Sequence, residues 1–457
     1  MNEFLFGEFE SVSAKEWKQK IQVDLKGEDY NKSLIWQSEE GIHVKPFYHQ
    51  DDFEKEFSPV PGHPDTWNIA QDIFIDDEAI ANKLALDAID RGAEAICFTS
   101  EKEFDIEVVF KKFPFNNPIY FNFKFLSEEF IQQLKQFFSD KNATVFYNID
   151  IIGNLARSGN WFYNLTEDHE ILSKILQKNP SENSISVDLA LYQNAGANMV
   201  QQLAYALAHA NEYLNHISLE DVKKSFTLTF NVAVGSNYFF EIAKIRALRK
   251  LYAALASEYG FSETCHIIAT PSKRNKTLYD YNVNMLRTTT ECMSAILGGA
   301  NTVSNAPYDS IYHKSNEFGE RIARNQLLIL KKESYFETAG NPADGTYYIE
   351  SLTDQLAEKA LELFKDIESQ GGFLKQLKEG IIQRKIKDSA NKEQKLFNTG
   401  ELKLLGTNFQ IHKNDKMKED LDLYPFVKTN VRKTLINPII EKRLSEKIEQ
   451  ERLNKES

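Results

Sequence analysis

Short apolar runs alternate with helix-length amphipathic stretches along most of this chain, and no other feature restricts its fold so strongly. The strand-like runs fall at residues 93–98, 119–125, 144–149, 185–191, 226–234, 266–270, 301–305 and 346–350. Among the stretches between them, 237–259 is the clearest: Tyr238, Ile242, Ile245, Leu248, Tyr252 and Leu255 recur at steps of three or four, while Glu241, Lys244, Arg249 and Lys250 point elsewhere. Residues 127–139, 197–214, 280–297, 316–332 and 352–367 read the same way. Parallel neighbours need crossovers of this length, and eight units spanning 92–371 have the usual size of a closed barrel, about 250 residues. An open doubly wound sheet would want a GxGxxG turn after its first strand, which is absent. The pattern predicts an α/β fold, a (β/α)8 TIM barrel over 92–371. An extended N-terminal arm and linker helix (78–90) occupy 1–91, and a charged helical C-terminal extension, with a helix at 440–450, occupies 372–457.

Charge narrows the class of partner. Lys and Arg number 54 against 67 Asp and Glu, a net charge of −13. That surplus repels phosphate backbones and no basic stripe stands apart from it, so nucleic acid is excluded as the main partner. Apolar residues make up 42%, enough for a large core. Met1-Asn2-Glu3-Phe4 lacks a basic leader, and no window of about 18 residues is apolar and uncharged, so a cytoplasmic chain without membrane contact is expected. Cys97, Cys265 and Cys292 fit no metal-ligand or CxxC spacing and are expected as buried thiols.

Two strands carry polar residues where a barrel axis should be. In 226–233, Phe226, Leu228, Phe230 and Val232 are expected to face the helices, leaving Thr227, Thr229, Asn231 and Ala233 inside. In 119–125, Tyr120, Asn122 and Lys124 take the inward side. Barrels usually fill the axis with branched apolar residues. Either a hydrogen-bonded polar core or a partly wet lumen would satisfy these groups.

No P-loop, HExxH, GxSxG or EF-hand loop occurs. His209 and His216 share a helix but are two turns apart, too far for one metal unaided. Asp188 is a carboxylate in an apolar run, read as paired with backbone or a cation or else as a site residue. Asp76-Asp77 and Glu128-Glu129 suit helix starts, and Gly298-Gly299 a helix stop. Gly196 reads as a tight turn or as the opening of an anion-holding helix. Residue chemistry alone yields no catalytic constellation.

Longer strings carry a resemblance. Gln193-Asn194-Ala195-Gly196-Ala197 followed by 203–208, the stretch 237–247, Glu320-Arg321-Ile322-Ala323-Arg324-Asn325-Gln326, and 340–350 resemble, in order and separation, the adenosylcobalamin-dependent acyl-CoA mutases. Residues 60–370 are similar to methylmalonyl-CoA mutases. The leader (Glu16-Trp17, Asp24-Leu25-Lys26-Gly27, Trp36, Val44-Lys45-Pro46) and the string 153–161 look like their small (β) subunits.

The departures fall on the chemistry. Where the family carries a Tyr-His pair, this chain has Ala190 and Leu191. After the string Trp67, Ile69, Gln71, it has Asp72 in place of the active-site tyrosine, and a second histidine aligns with Ser304. The stretch 268–276 lacks the family's CoA-contacting pattern. None of the nine histidines has Asp two residues before it, so the family's Asp-x-His-x-x-Gly cobalt-ligand motif is missing, and residues 372–457 lack the alternation of a flavodoxin-like cobalamin domain. The resemblance thus implies a non-catalytic small subunit with no catalytic, cofactor or metal residues of its own. Its large subunit would hold adenosylcobalamin and the acyl-CoA, interconverting succinyl-CoA and methylmalonyl-CoA, while arm and C-terminal helix clasp that partner. Two other readings stay open: an active acyl-CoA mutase core that recruits a separate cobalamin-binding protein, and an acyl-CoA-binding barrel without catalysis.

Overall fold

The computed structural model describes residues 7–54, 57–178, 183–218, 227–338, 340–428 and 431–456. Eight parallel strands form one sheet: β1 (Asn68–Phe74), β2 (Ala95–Ser100), β3 (Ile119–Phe123), β4 (Val145–Phe146), β5 (Ser186–Asp188), β6 (Thr229–Val234), β7 (His266–Pro271) and β8 (Thr302–Ser304), in the order β4-β3-β2-β1-β8-β7-β6-β5. The two edges meet. Ile149 bridges Ile185 in parallel, Tyr147 N–H donates to the Asn183 carbonyl at 2.9 Å, and Ser186 N–H donates to that of Ile149 at 3.1 Å. Closure leaves the sheet without a free edge, and helices pack around it as expected for a (β/α)8 barrel.

Alternation sets the two faces. Phe121 of β3 and Phe230 and Val232 of β6, with Leu228 just before it, are buried in the main core beneath the helices. Tyr120 and Thr229 point to the axis and are just as inaccessible, while Asn122, Lys124 and Asn231 line a cavity there. The inward reading therefore holds at Tyr120, Asn122, Lys124, Thr229 and Asn231; Phe226, expected to face the helices, lies outside the described residues.

One strand is misplaced by the sequence pattern. Residues 346–350 are not a strand: Thr346 precedes the helix Tyr347–Ser369, whose Ile349, Leu352, Leu356, Ala360 and Ile367 are buried at helical spacing. The tyrosines and Ile349 gave that first turn its strand-like look. The missing eighth strand is Asn68–Phe74, in the stretch expected as arm. It escaped notice because Gln71 and Asp72 break its apolar run. Gln71 is bound from outside by Glu320 and by Arg324, whose Nη1 donates at 2.9 Å. The linker helix at Glu78–Asp90 is as expected, with Asp77 accepting from the Ile80 N–H.

The C-terminal extension is less helical than its composition suggests. Helices Phe373–Lys378 and Ile381–Thr399 are followed by irregular chain until Glu446–Leu453. Residues 440–445, expected as helix, form none because their amides serve the barrel: Lys442 N–H donates to the Asn194 carbonyl (3.0 Å) and Leu444 N–H to that of Arg274 (2.9 Å). Further back, the amides of Leu435 and Ile436 bond Gly159 and that of Ile439 bonds Ala156.

Three of the four mutase-like strings meet one another through buried polar side chains. Lys244 Nζ donates to Gln193 Oε1 (2.7 Å), Gln202 Oε1 (3.1 Å) and the Ala233 carbonyl (2.8 Å), and pairs with Glu241 at 2.5 Å. Two residues on, Arg246 reaches Glu350 (2.5 Å), Asp344 (2.8 Å) and Asn341 (3.0 Å). Both cations are buried, and such a pair broken on one side leaves an uncompensated charge. Arg246→Met would leave Lys250, 3.9 Å away, as the nearest cation to buried Glu350. It should cost about 3–5 kcal/mol in urea unfolding, and Arg246→Met/Glu350→Met should recover part of that.

Candidate functional site

Two levels divide the barrel interior. Toward the N-terminal ends of the strands the axis is filled by large rings. Tyr120 stacks on Phe146 (centroids 4.5 Å apart, 18° between planes), and Phe146 lies 4.2 Å from the His266 ring. The Tyr120 hydroxyl sits 2.8 Å from Thr302 Oγ1 and 3.0 Å from His266 Nε2. Ala70, Ala95 and Ile268 close the layer. Burial, with a smaller push from Arg249, takes the His266 imidazole down to about 3, so it is neutral at physiological pH. This layer answers the question that polar inward residues raise: here they form a hydrogen-bonded core.

Above it the barrel opens into a cavity of about 820 Å³ at the C-terminal ends of the strands, where barrel enzymes place their sites. Asp72 stands on its wall. Ser304 Oγ donates to Asp72 Oδ2 at 2.6 Å. Burial still pushes the Asp72 carboxyl above its ordinary value, against the hydrogen bonds from Ser304 and Cys97, and burial beside Asp72 raises the Cys97 thiol well above the usual range. Cys265 and Cys292 are buried, as expected.

A second cluster shapes the opposite side. Asp150 caps the helix Ile151–Ser158, accepting from Gly153 N–H (2.7 Å) and the Tyr213 hydroxyl (2.7 Å), while its other oxygen accepts from Asp188 N–H (3.0 Å). His209 Nε2 lies 3.0 Å from Asp150, and its Nδ1 lies 2.9 Å from the Tyr192 hydroxyl. Burial raises the Asp150 carboxyl, but His209 and the donated hydrogen bonds outweigh it and hold the group below its ordinary value. Arg157 pairs with Asp188 and, at 2.8 Å, with Glu441 of the C-terminal extension. Asp188 is thus the paired structural carboxylate the sequence suggested. His209 and His216 do not converge: the latter sits 2.9 Å from Ser173. Gly196 (φ 98°) is a tight turn, and a Cβ there would come within 2.5 Å of Ala390.

Of the four positions aligned with family chemistry, Asp72 and Ser304 meet, Ala190 lines the cavity, and Leu191 does not. Leu191 is fully buried in the main core. Two features escaped the sequence reading. His266 continues an inward alternation with Ile268 and Thr270 that could have been seen. Tyr424, Phe426, Glu441 and Arg443 of the extension line the cavity without any periodic signal.

The donor set does not fit adenosylcobalamin. No histidine lines the cavity, and the chain's own extension crosses its mouth. Among the described residues no group of three or more His, Cys, Asp or Glu side chains is placed to hold a metal ion, and no helix is long and apolar enough to cross a membrane.

Residues 128–455 match the methylmalonyl-CoA mutase family. The chain belongs to that family. It is similar to a methylmalonyl-CoA mutase small subunit of Porphyromonas gingivalis, 34% identical over 444 residues that cover 89% of this chain and 71% of that one. A small subunit from Streptomyces virginiae is 35% identical over 52% of this chain and 39% of its own length. A methylmalonyl-CoA mutase of Cereibacter sphaeroides is 35% identical over 56% of this chain and 37% of its length. The alignments with these last two thus span little more than a third of each relative.

Both titrating centres predict acid behaviour. His266 prefers its neutral form when folded, so the unfolded chain binds the extra proton as pH falls. Its contribution is complete above pH 6.5 and is lost toward pH 3, at up to about 1.4 kcal/mol per pH unit. Equilibrium unfolding of His266→Gln should show a flatter slope in that window. Asp150, with its lowered value, stabilises above its ordinary 3.8 and loses that contribution at lower pH. Asp150→Asn should therefore lower stability at pH 7 and approach the parent as pH falls well below 3.8.

Proposed function

We propose that this chain is the non-catalytic small subunit of a heterodimeric methylmalonyl-CoA mutase, acting in the cytoplasm. Its large subunit would carry adenosylcobalamin and the acyl-CoA and interconvert succinyl-CoA and methylmalonyl-CoA. The observation that carries this reading is the ring layer of Tyr120, Phe146 and His266. The family's barrel closes around its acyl-CoA, and an axis filled at this level offers that substrate no passage. Asp72 and Ser304, bonded to each other, stand where tyrosine and histidine would act. A relative named as a small subunit and aligned along 89% of the chain points the same way.

The docking part of this reading changes with the structure. The C-terminal extension was expected to clasp a partner, yet the amides of Leu435, Ile436, Ile439, Lys442 and Leu444 bond this chain's own barrel. Much of the N-terminal arm packs there too, with Ile42 in the main core, Trp36 against Phe240 and Tyr48 against Tyr348, but its first helix does not. Helix Ala14–Asp24 has no buried residue, and Trp17 and Val23 are 50% and 72% exposed. That first helix is therefore the segment we assign to the large subunit, which association would stabilise by mass action.

Purified alone, the chain should show no mutase turnover and no corrin absorbance. Co-expressed with a longer mutase chain, it should co-purify and raise that chain's melting temperature; robust turnover by the single chain would refute the assignment. Leu191→His should not restore activity. It buries an imidazole in hydrocarbon and should instead destabilise the fold by about 1–3 kcal/mol, measured by urea unfolding alongside the turnover assay.

A further inference from the structure

The upper cavity has a chemistry of its own that a silent scaffold does not require. Most of the charges around it are matched: Arg157 by Asp188 and Glu441, Lys276 by Glu291 (2.7 Å), Arg443 by Glu449 (2.6 Å). Lys124 and Lys273 are the exceptions. Both line the cavity, and neither ammonium has a carboxylate within ion-pairing distance among the described residues. Lys124 Nζ donates only to Asn122 Oδ1, at 3.0 Å. Burial, Arg157 and Lys273 depress the Lys124 ammonium below its ordinary value despite Asp188. The two ammonium groups thus face the cavity without a paired carboxylate, and a monoanion there would supply one.

A second observation comes from Asn148. Its backbone holds a left-handed φ of 48°, a conformation uncommon for side-chain-bearing residues. Its side chain lines the cavity with Oδ1 buried and unpartnered. Buried polar atoms are almost always satisfied, and an amide can present either edge to a ligand. Around these groups the wall is aromatic: Phe123, Phe125, Phe162 and Phe426. Asp150, Asp188 and Glu441 share the wall and disfavour a multiply charged phosphate. At about 820 Å³ the cavity has the size of small-ligand sites, which run about 300–1,000 Å³.

The geometry points to a binding site for a monocarboxylic acid with an apolar body of several carbons, its carboxylate held by Lys124 and Lys273 and its chain against the phenylalanines. No covalent step is involved. The site is separate from the reading above, which gives this chain no ligand, and it stands whether or not a large subunit is present.

Titration calorimetry on the full chain tests it, with hexanoate as probe and hexan-1-ol, succinate and phosphate as comparators. Saturable hexanoate binding is expected, at least about tenfold tighter than any comparator. Lys124→Met/Lys273→Met should weaken it by about tenfold or more. Ala190→Phe, which fills the cavity and keeps both lysines, should abolish it. Circular dichroism and melting of each unliganded variant check that it is folded. The proposal is overturned by no saturable hexanoate binding up to about 10 mM, by equal binding of hexan-1-ol, succinate or phosphate, or by affinity that survives the folded double-lysine or Ala190→Phe variant.

Discussion

Everything in this barrel leans on a few buried cations that hold distant stretches of chain in one arrangement. Lys244 and Arg246 leave the same helix, Tyr238–Tyr259, in different directions. One gathers the turn after β5, the next helix and the end of β6; the other gathers the loop before the helix Tyr347–Ser369 and that helix's first turn. Gln71 does the same between β1 and the helix Glu317–Leu328. Such groups cost desolvation energy, and their return is geometric: each has one set of partners that satisfies it.

This separates two kinds of family likeness. The residues of the mutase-like strings at Glu241, Lys244, Arg246, Glu320, Arg324 and Glu350 bind other parts of the same chain. They hold the shape of the barrel and touch no reacting group. The positions that the resemblance sets against family chemistry, Asp72, Ala190 and Ser304, face the lumen or the layer just behind it. Scaffold and chemistry occupy different surfaces of the same strands, so one can be kept while the other changes. Leu191 is the exception, since its side chain has joined the hydrocarbon core.

Much of the architecture was legible because a parallel strand buried on both faces and an amphipathic helix leave distinct spacings. The helix at 238–259 and the inward faces of β3 and β6 could be read directly. Strand β1 could not, because Gln71 is satisfied by partners about 250 residues away and a local pattern cannot show that. The first turn of Tyr347–Ser369 misled for the opposite reason: three bulky apolar residues in a row look extended until the rest of the helix is counted. At the site, Tyr120 and Lys124 were placed by alternation alone. The contribution of Glu441 and Phe426 was invisible, since an irregular segment carries no period and its course is set by the carbonyls it meets.

The stacked rings across the axis also bear on descent. Reopening the lumen would mean replacing Tyr120, Phe146 and His266 together, because trimming one leaves its neighbours around a void. A single large-to-small change of this kind costs about 3–5 kcal/mol, from a total that is commonly only about 5–15. Each intermediate on the way back would be close to unfolding before it regained any activity. A lineage that once filled this channel has passed through a one-way door.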